Sequence, residues 1–190
     1  MGINERGTEG TQGVDLAQYL TFILDGQVYG VPVVQVQEIR GWMSVTPLPN
    51  SPAYIKGVLN LRGTIIPVID LRLRFNLPLR PYDALTVIVV VNIRERLAGL
   101  IVDSVSDVID ASFEERHETP SFEGRLDRRF IDGLLEAGQQ IVILLNTAEL
   151  DDPASGFWTT VEELLAGGSA FWGDCNNPEV GCYVTYPYWS

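Results

Sequence analysis

An all-β protein built from small barrels is the fold class this sequence predicts, and three observations carry that reading. From Tyr19 onward the chain is a succession of short, β-branched runs bounded by Gly, Pro, Asn or Asp. Asp25-Gly26 joins two of these runs in the manner of a tight hairpin. Long amphipathic helices alternating with strands are absent from this stretch, which argues against parallel βαβ architecture and the usual nucleotide-binding folds.

In chain order, residues 1–15 are rich in Gly, Thr and charge and show no periodic apolar face, so order is expected to begin near Leu16. YLTFIL and VYGVPV flank Asp25-Gly26 as the first hairpin. Val33 to Ile39 reads as a short helix, with Val33, Val36, Gln37 and Ile39 placing an apolar edge on one side. Further strands are expected at Val58 to Leu61, Thr64 to Ile69, Thr86 to Asn92, Leu97 to Val102, Val105 to Ile109 and Ile141 to Leu145, paired antiparallel. Gly57 and Gly63 flank one apolar strand and can supply turn geometry at both ends. Pro67 interrupts the next strand and suggests an edge or bulge position.

Beyond the main body at 16–152, Asp152-Pro153 reads as the cap and first turn of a helix with Phe157, Val161, Leu164 and Leu165 on one face. That helix and a Gly-rich linker occupy 153–168. Residues 169–190 form an aromatic appendage containing both cysteines, Cys175 and Cys182. Turn formers between them make a small disulfide loop reasonable in an oxidising setting, whereas cytosolic thiols would stay reduced.

Composition excludes several functions. The chain has 190 residues, of which 46% are hydrophobic and 20% charged, enough to bury a core and too short for a large multidomain enzyme. A net charge of −12 repels phosphates and anionic lipid, so no nucleic-acid partner is expected. No basic-then-apolar leader and no apolar run of about 20 residues occurs, so a cytoplasmic location without membrane insertion is expected.

No catalytic constellation emerges. The single histidine, His117, lies in EERHET without a second His or Cys nearby, so no metal site is expected. Glu114-Glu115 and Asp151-Asp152 lack the alternating oxygen spacing of a calcium loop. There is no nucleophile elbow, Walker loop or dinucleotide glycine motif, so neither a cofactor nor an enzymatic activity is expected, and the weight moves to binding.

The most informative text is VQVQEIRG, then TPLPNSPAYIKGVLNLRGTIIPVIDLRLRF, VIVVVN and LAGLIVDSVSDVID, with FIDGLLEAGQQIVILLN near the end. In this order, from about Tyr19 to Leu150, it resembles the CheW-type adaptors of bacterial chemotaxis. The N-L-R-G-x-x-x-P-V-x-D-L-R stretch, Asn60 to Arg72, carries most of the resemblance. Kinase regulatory domains of the same fold share it, but the chain shows no kinase, dimerisation or phosphotransfer segment. The resemblance implies two five-stranded SH3-like barrels packed together, with short helices and a C-terminal helix. It implies a non-enzymatic scaffold that couples chemoreceptors to the chemotaxis histidine kinase at arrays on the inner face of the membrane. Its partners would be the receptor's cytoplasmic tip and the kinase regulatory domain.

The same resemblance nominates receptor-binding residues: Val36, Glu38, Ile39, Gly57, Asn60, Arg62, Gly63, Val87, Val105 and Val108. Arg62 can either pair internally with a carboxylate or present its fork to a partner. Val36 and Ile39 border a receptor groove or simply close a barrel end. Val87, Val105 and Val108 line the cleft or belong to the core. Phe122 resembles the aromatic on the kinase-binding face and is an anchor if exposed. Two rivals remain: an adaptor of the same fold in a motility or second-messenger pathway, and a hydrolase with a dispersed site.

Overall fold

A computed structural model describes residues 16–112, 115–118 and 126–150 of the chain. The described residues form two sheets. The first holds β1 (Leu16–Leu24), β2 (Gln27–Pro32), β8 (Ser104–Ser112), β9 (Arg116–His117), β10 (Ile131–Ala137) and β11 (Gln140–Leu145). Its strand order is β8-β1-β2-β11-β10-β9. The second holds β3 (Val36–Gly41), β4 (Ile55–Leu61), β5 (Thr64–Asp70), β6 (Val87–Ile93) and β7 (Arg96–Val102), in the order β3-β6-β7-β5-β4. The chain therefore begins in the first sheet, builds the whole second sheet, and returns.

Both sheets curl back on themselves. In the second, the chain leaving β3 returns to the opposite edge, where Thr46 and Val58 exchange backbone hydrogen bonds of 3.0 and 2.8 Å. In the first, β8 pairs with β1 on one edge, and the same chain reappears as β9 beside β10 on the other. One polypeptide segment thus serves both edges of each sheet, the arrangement of a closing barrel. Each curl encloses its own apolar cluster. Leu59, Leu61, Ile66, Val68, Ile88, Val90 and Ile101 fill the second, and Val28, Ala111, Leu135, Val142 and Leu144 fill the first.

The outer faces explain why the two sheets stay together. Ile88 and Val90 point inward, so Val89 and Val91 point outward by strand alternation, yet both are fully buried. On β1, Tyr19 and Ile23 join the inner cluster, leaving Leu20, Phe22 and Leu24 facing out and equally buried. β1 touches β7, so these outward faces cover one another. An aromatic column crosses the joint: Phe22 stacks on Tyr29 at 5.9 Å, Tyr29 meets Phe75 at 6.0 Å, and Phe75 meets Phe130 at 5.1 Å.

Four expectations need correction. Val33 to Ile39 is not helical: Val33–Gln35 is a single 3-10 turn, and Val36–Gly41 is strand β3. β-branched side chains lose rotamer freedom in a helix, and hydrogen bonding to β6 decides for the strand. The sheets are not wholly antiparallel, because β5 runs parallel to β7 and β11 parallel to β2. The crossovers that parallel pairs need come here from intervening strands and not from long helices. Pro67 lies on an interior strand; it is tolerated because the β5–β7 ladder begins only at Val68. Gly57 sits inside β4 at a register shift, not at a strand end. The helix and linker at 153–168, the appendage at 169–190 and the lead-in at 1–15 lie outside the described residues.

Candidate functional site

The Asn60 to Arg72 stretch builds two distinct structures. Its first half makes the β4–β5 hairpin, with Arg62 and Gly63 as the two turn residues at φ 51° and 92°. Such a turn needs positive φ at both central positions, which Gly63 accepts at no steric cost. The Asn60 side-chain carbonyl accepts a 2.8 Å hydrogen bond from the Gly63 amide and locks the loop. Arg62 is thereby held at the hairpin tip.

From that tip Arg62 Nη2 reaches Glu38 Oε2 on β3 at 3.1 Å, while Arg40 binds the other carboxylate oxygen. β3 and β4 are opposite edges of the sheet, so this pair spans the barrel mouth. The Arg62 side chain is nevertheless 80% exposed. An ion pair this open contributes about 0–1 kcal/mol to stability. Its guanidinium can therefore exchange Glu38 for an incoming acceptor at small cost.

Partly exposed apolar residues lie on the other face of β3, toward the joint between the sheets. Ile39 lies opposite Val89, and Gly41 opposite Val87, so Ile39 and Val87 share the outward face that packs on the first sheet. Burial runs out at their end of that face: Ile39 is 45% exposed and Val87 half-buried. On the first sheet Val105 and Val108 lie opposite Phe22 and Leu20, again on the outward face. Val105 is half-buried and Val108 is 46% exposed. The 3-10 turn that precedes Val36 touches both β1 and β6. Val36 thus stands at the junction of the sheets, one strand removed from β8. These residues are partly exposed apolar margins of the inter-sheet joint.

Gly57 is set apart from these residues. Gly57 is buried under the returning strand: a side-chain carbon on it would overlap the Thr46 carbonyl oxygen and lie 2.6 Å from Thr46 C and 3.0 Å from Pro47 N. Its φ of 146° is a glycine conformation. Barrel closure accounts for it without a partner. Phe122 lies outside the described residues. A cavity of about 370 Å³ at the end of the first sheet, lined by Tyr19, Arg116 and Leu135 among others, contains none of the nominated residues. Among the described residues no three His, Cys, Asp or Glu side chains cluster as metal ligands, and no helix is long and apolar enough to cross a membrane.

The second half of the stretch builds what sequence reasoning missed. Asp70 caps α1 (Leu71–Arg74), accepting from the amides of Arg72 at 2.8 Å and Leu73 at 3.3 Å. Its second oxygen accepts from the Tyr82 hydroxyl. Burial first, and that hydrogen bond second, push the Tyr82 hydroxyl far above its usual range. The buried Arg72 binds Asp103 with both prongs, Nε–Oδ1 at 2.8 Å and Nη2–Oδ2 at 2.6 Å, and also reaches Asp25 at 3.3 Å. Burial pushes the Asp103 carboxyl upward. The hydrogen bonds from Arg72 and the Asp25 amide, with the Arg72 and Arg80 charges, outweigh it and hold the carboxyl below its usual value. An arginine inside the apolar run VIDLRLRF signals that a buried partner must exist, but nothing local names Asp103.

Residues 18–153 match the CheW-like domain family. The chemotaxis protein CheW of Klebsiella aerogenes is 41% identical over 133 residues, covering 70% of this chain and 80% of that protein. The probable chemotaxis protein CheW of Rhizobium etli is 36% identical over 133 residues, covering 70% and 86%. The crystal structure of the scaffolding protein TtCheW from Thermoanaerobacter tengcongensis superposes with a TM-score of 0.67 at 33% identity, covering 70% of this chain and 91% of that one.

Proposed function

This chain belongs to the CheW-like domain family, and from that premise we propose that it is a scaffold coupling transmembrane chemoreceptors to the chemotaxis histidine kinase. The observation that supports the reading is Arg62: a turn built by Asn60 and Gly63 holds its guanidinium exposed and paired with Glu38, while Ile39, Val87, Val105 and Val108 leave partly exposed apolar margins at the joint between the sheets. A helical receptor tip lays apolar side chains along such margins and offers its acceptors to the guanidinium. Val36, at the junction of the sheets, extends the same margin.

The chemistry is binding alone. The protein contributes no reacting group and needs no cofactor; it works by holding two partners at one spacing in the cytoplasm, recruited to receptor arrays at the membrane's inner face. The kinase partner is its regulatory domain, for which the family resemblance nominates Phe122. Individual contacts of this kind are modest, and an array gains strength by linking many of them.

Arg62→Glu is the test. Charge reversal at an exposed turn leaves circular dichroism unchanged and abolishes retention on immobilised receptor cytoplasmic domain. A folded variant that is retained as well as the parent removes Arg62 from the receptor site.

A further inference from the structure

Arg72 sits where the chain passes between the two sheets. It belongs to α1, which follows β5 of the second sheet. Asp103 is the single residue between β7 of the second sheet and β8 of the first. Its amide donates to the Ile23 carbonyl of β1 at 3.1 Å, and its Oδ2 accepts from the Asp25 amide in the β1–β2 turn at 2.9 Å. Arg72 completes the knot, gripping Asp103 with both prongs while Nη1 binds Asp25 Oδ1 and the Pro78 carbonyl. Three segments, one from each sheet and the crossover between them, thus meet on one guanidinium.

The rest of the joint has a different character. Leu20, Phe22 and Val31 on one sheet and Val89, Val91 and Leu100 on the other are buried apolar groups whose attraction is non-directional. They are joined by the aromatic column and by single hydrogen bonds from Arg74 to the Glu149 carbonyl and from Thr147 to Gln35. A bidentate arginine–carboxylate pair has a fixed plane and direction. The cleft margins stand on opposite sides of this joint, Ile39 and Val87 on one sheet and Val105 and Val108 on the other. Any rotation about the joint changes their separation.

We propose that Arg72 is a positioning residue: its clasp on Asp103 and Asp25 locks the two sheets at one angle, and that angle holds the cleft at the width a partner helix requires. The second half of this statement rests on the adaptor reading above; the first does not.

The double substitution Arg72→Met with Asp103→Asn tests it in the full-length protein, because replacing both partners leaves no buried charge unpaired and need not cost stability. Residual dipolar couplings of backbone amides are measured for each sheet separately. In the parent, both sheets fit one alignment tensor. In the variant, each sheet retains its own amide shifts and protection but the two fit different tensors, and affinity for immobilised receptor cytoplasmic domain falls about tenfold. Arg72→Lys, which keeps the charge but not the fork, gives tensors between the two. A variant whose sheets still share one tensor overturns the clasp. Divergent tensors with undiminished receptor affinity overturn the link between angle and cleft. A parent protein that binds no receptor refutes the adaptor reading, while the couplings still decide the clasp.

Discussion

Gly57→Ala adds one methyl group where the barrel closes, and the structure sets the size of the effect. At φ 146° any residue with a Cβ is strained by about 1–3 kcal/mol. The added carbon would overlap the Thr46 carbonyl oxygen and sit 2.6 Å from its carbon. That obstacle is backbone, so no rotamer change relieves it. Moving the Thr46 strand away costs roughly another 1–3 kcal/mol, as overpacking does elsewhere. The shift also stretches the two Thr46–Val58 backbone hydrogen bonds that join this edge to the returning chain. The expected loss is about 4 kcal/mol, set against a stability on the order of 5–15 kcal/mol. Thermal unfolding followed by circular dichroism reads this as a fall in Tm of about 10 °C or more. A Tm within about 2 °C of the parent, near 1 kcal/mol, would refute the closure argument. If such a stable variant also lost receptor retention, Gly57 would belong to the interface as its family resemblance implies.

Three further outcomes follow from the same structure. Arg62→Glu keeps the parent's stability to within about 1 kcal/mol, since an open ion pair carries little, while receptor retention is lost; a large drop in Tm would mean that the pair is structural. Asp103 is held below the usual carboxylate value of about 3.9, so its contribution is fully present above that pH and disappears as pH falls through its lower folded-state value. Urea unfolding between pH 5 and 2.5 therefore declines more shallowly with acid in the Arg72→Met, Asp103→Asn protein than in the parent, and parallel declines would contradict the assignment. Truncation after Gly168 leaves Tm and kinase binding unchanged; a large drop in Tm would show that the aromatic segment is part of the fold.

Much of this fold was legible because hairpin geometry is local. Asp25-Gly26 and Arg62-Gly63 each mark a two-residue turn, and the β-branched runs beside them are strands. β3 was illegible as a strand because VVQVQEI places valines three apart as well as two apart, and only its pairing with β6 decides between the periods. β10 hides in IDGLLEA, where Leu134 and Leu135 blur the alternation and a bulge at Gly133 shifts the register. At the site, the turn holding Arg62 could be read directly, whereas its partner Glu38 is 24 residues away and meets it only after closure. Arg72 and Asp103, 31 residues apart, are further from local signal still: the apolar run around Arg72 calls for a buried partner, but nothing near either residue names the other until the crossover brings them together. The parallel pairings escaped for the same reason: they join strands that meet only after an intervening excursion of the chain.

Coupling itself is tested most directly by co-sedimentation of the chemotaxis kinase with receptor-containing membranes, with and without this protein. The kinase should pellet only when the protein is present, and the Arg62→Glu form should leave it in the supernatant. Kinase that pellets equally in both samples, or a protein that stays in the supernatant beside receptor-rich membranes, would contradict a coupling role.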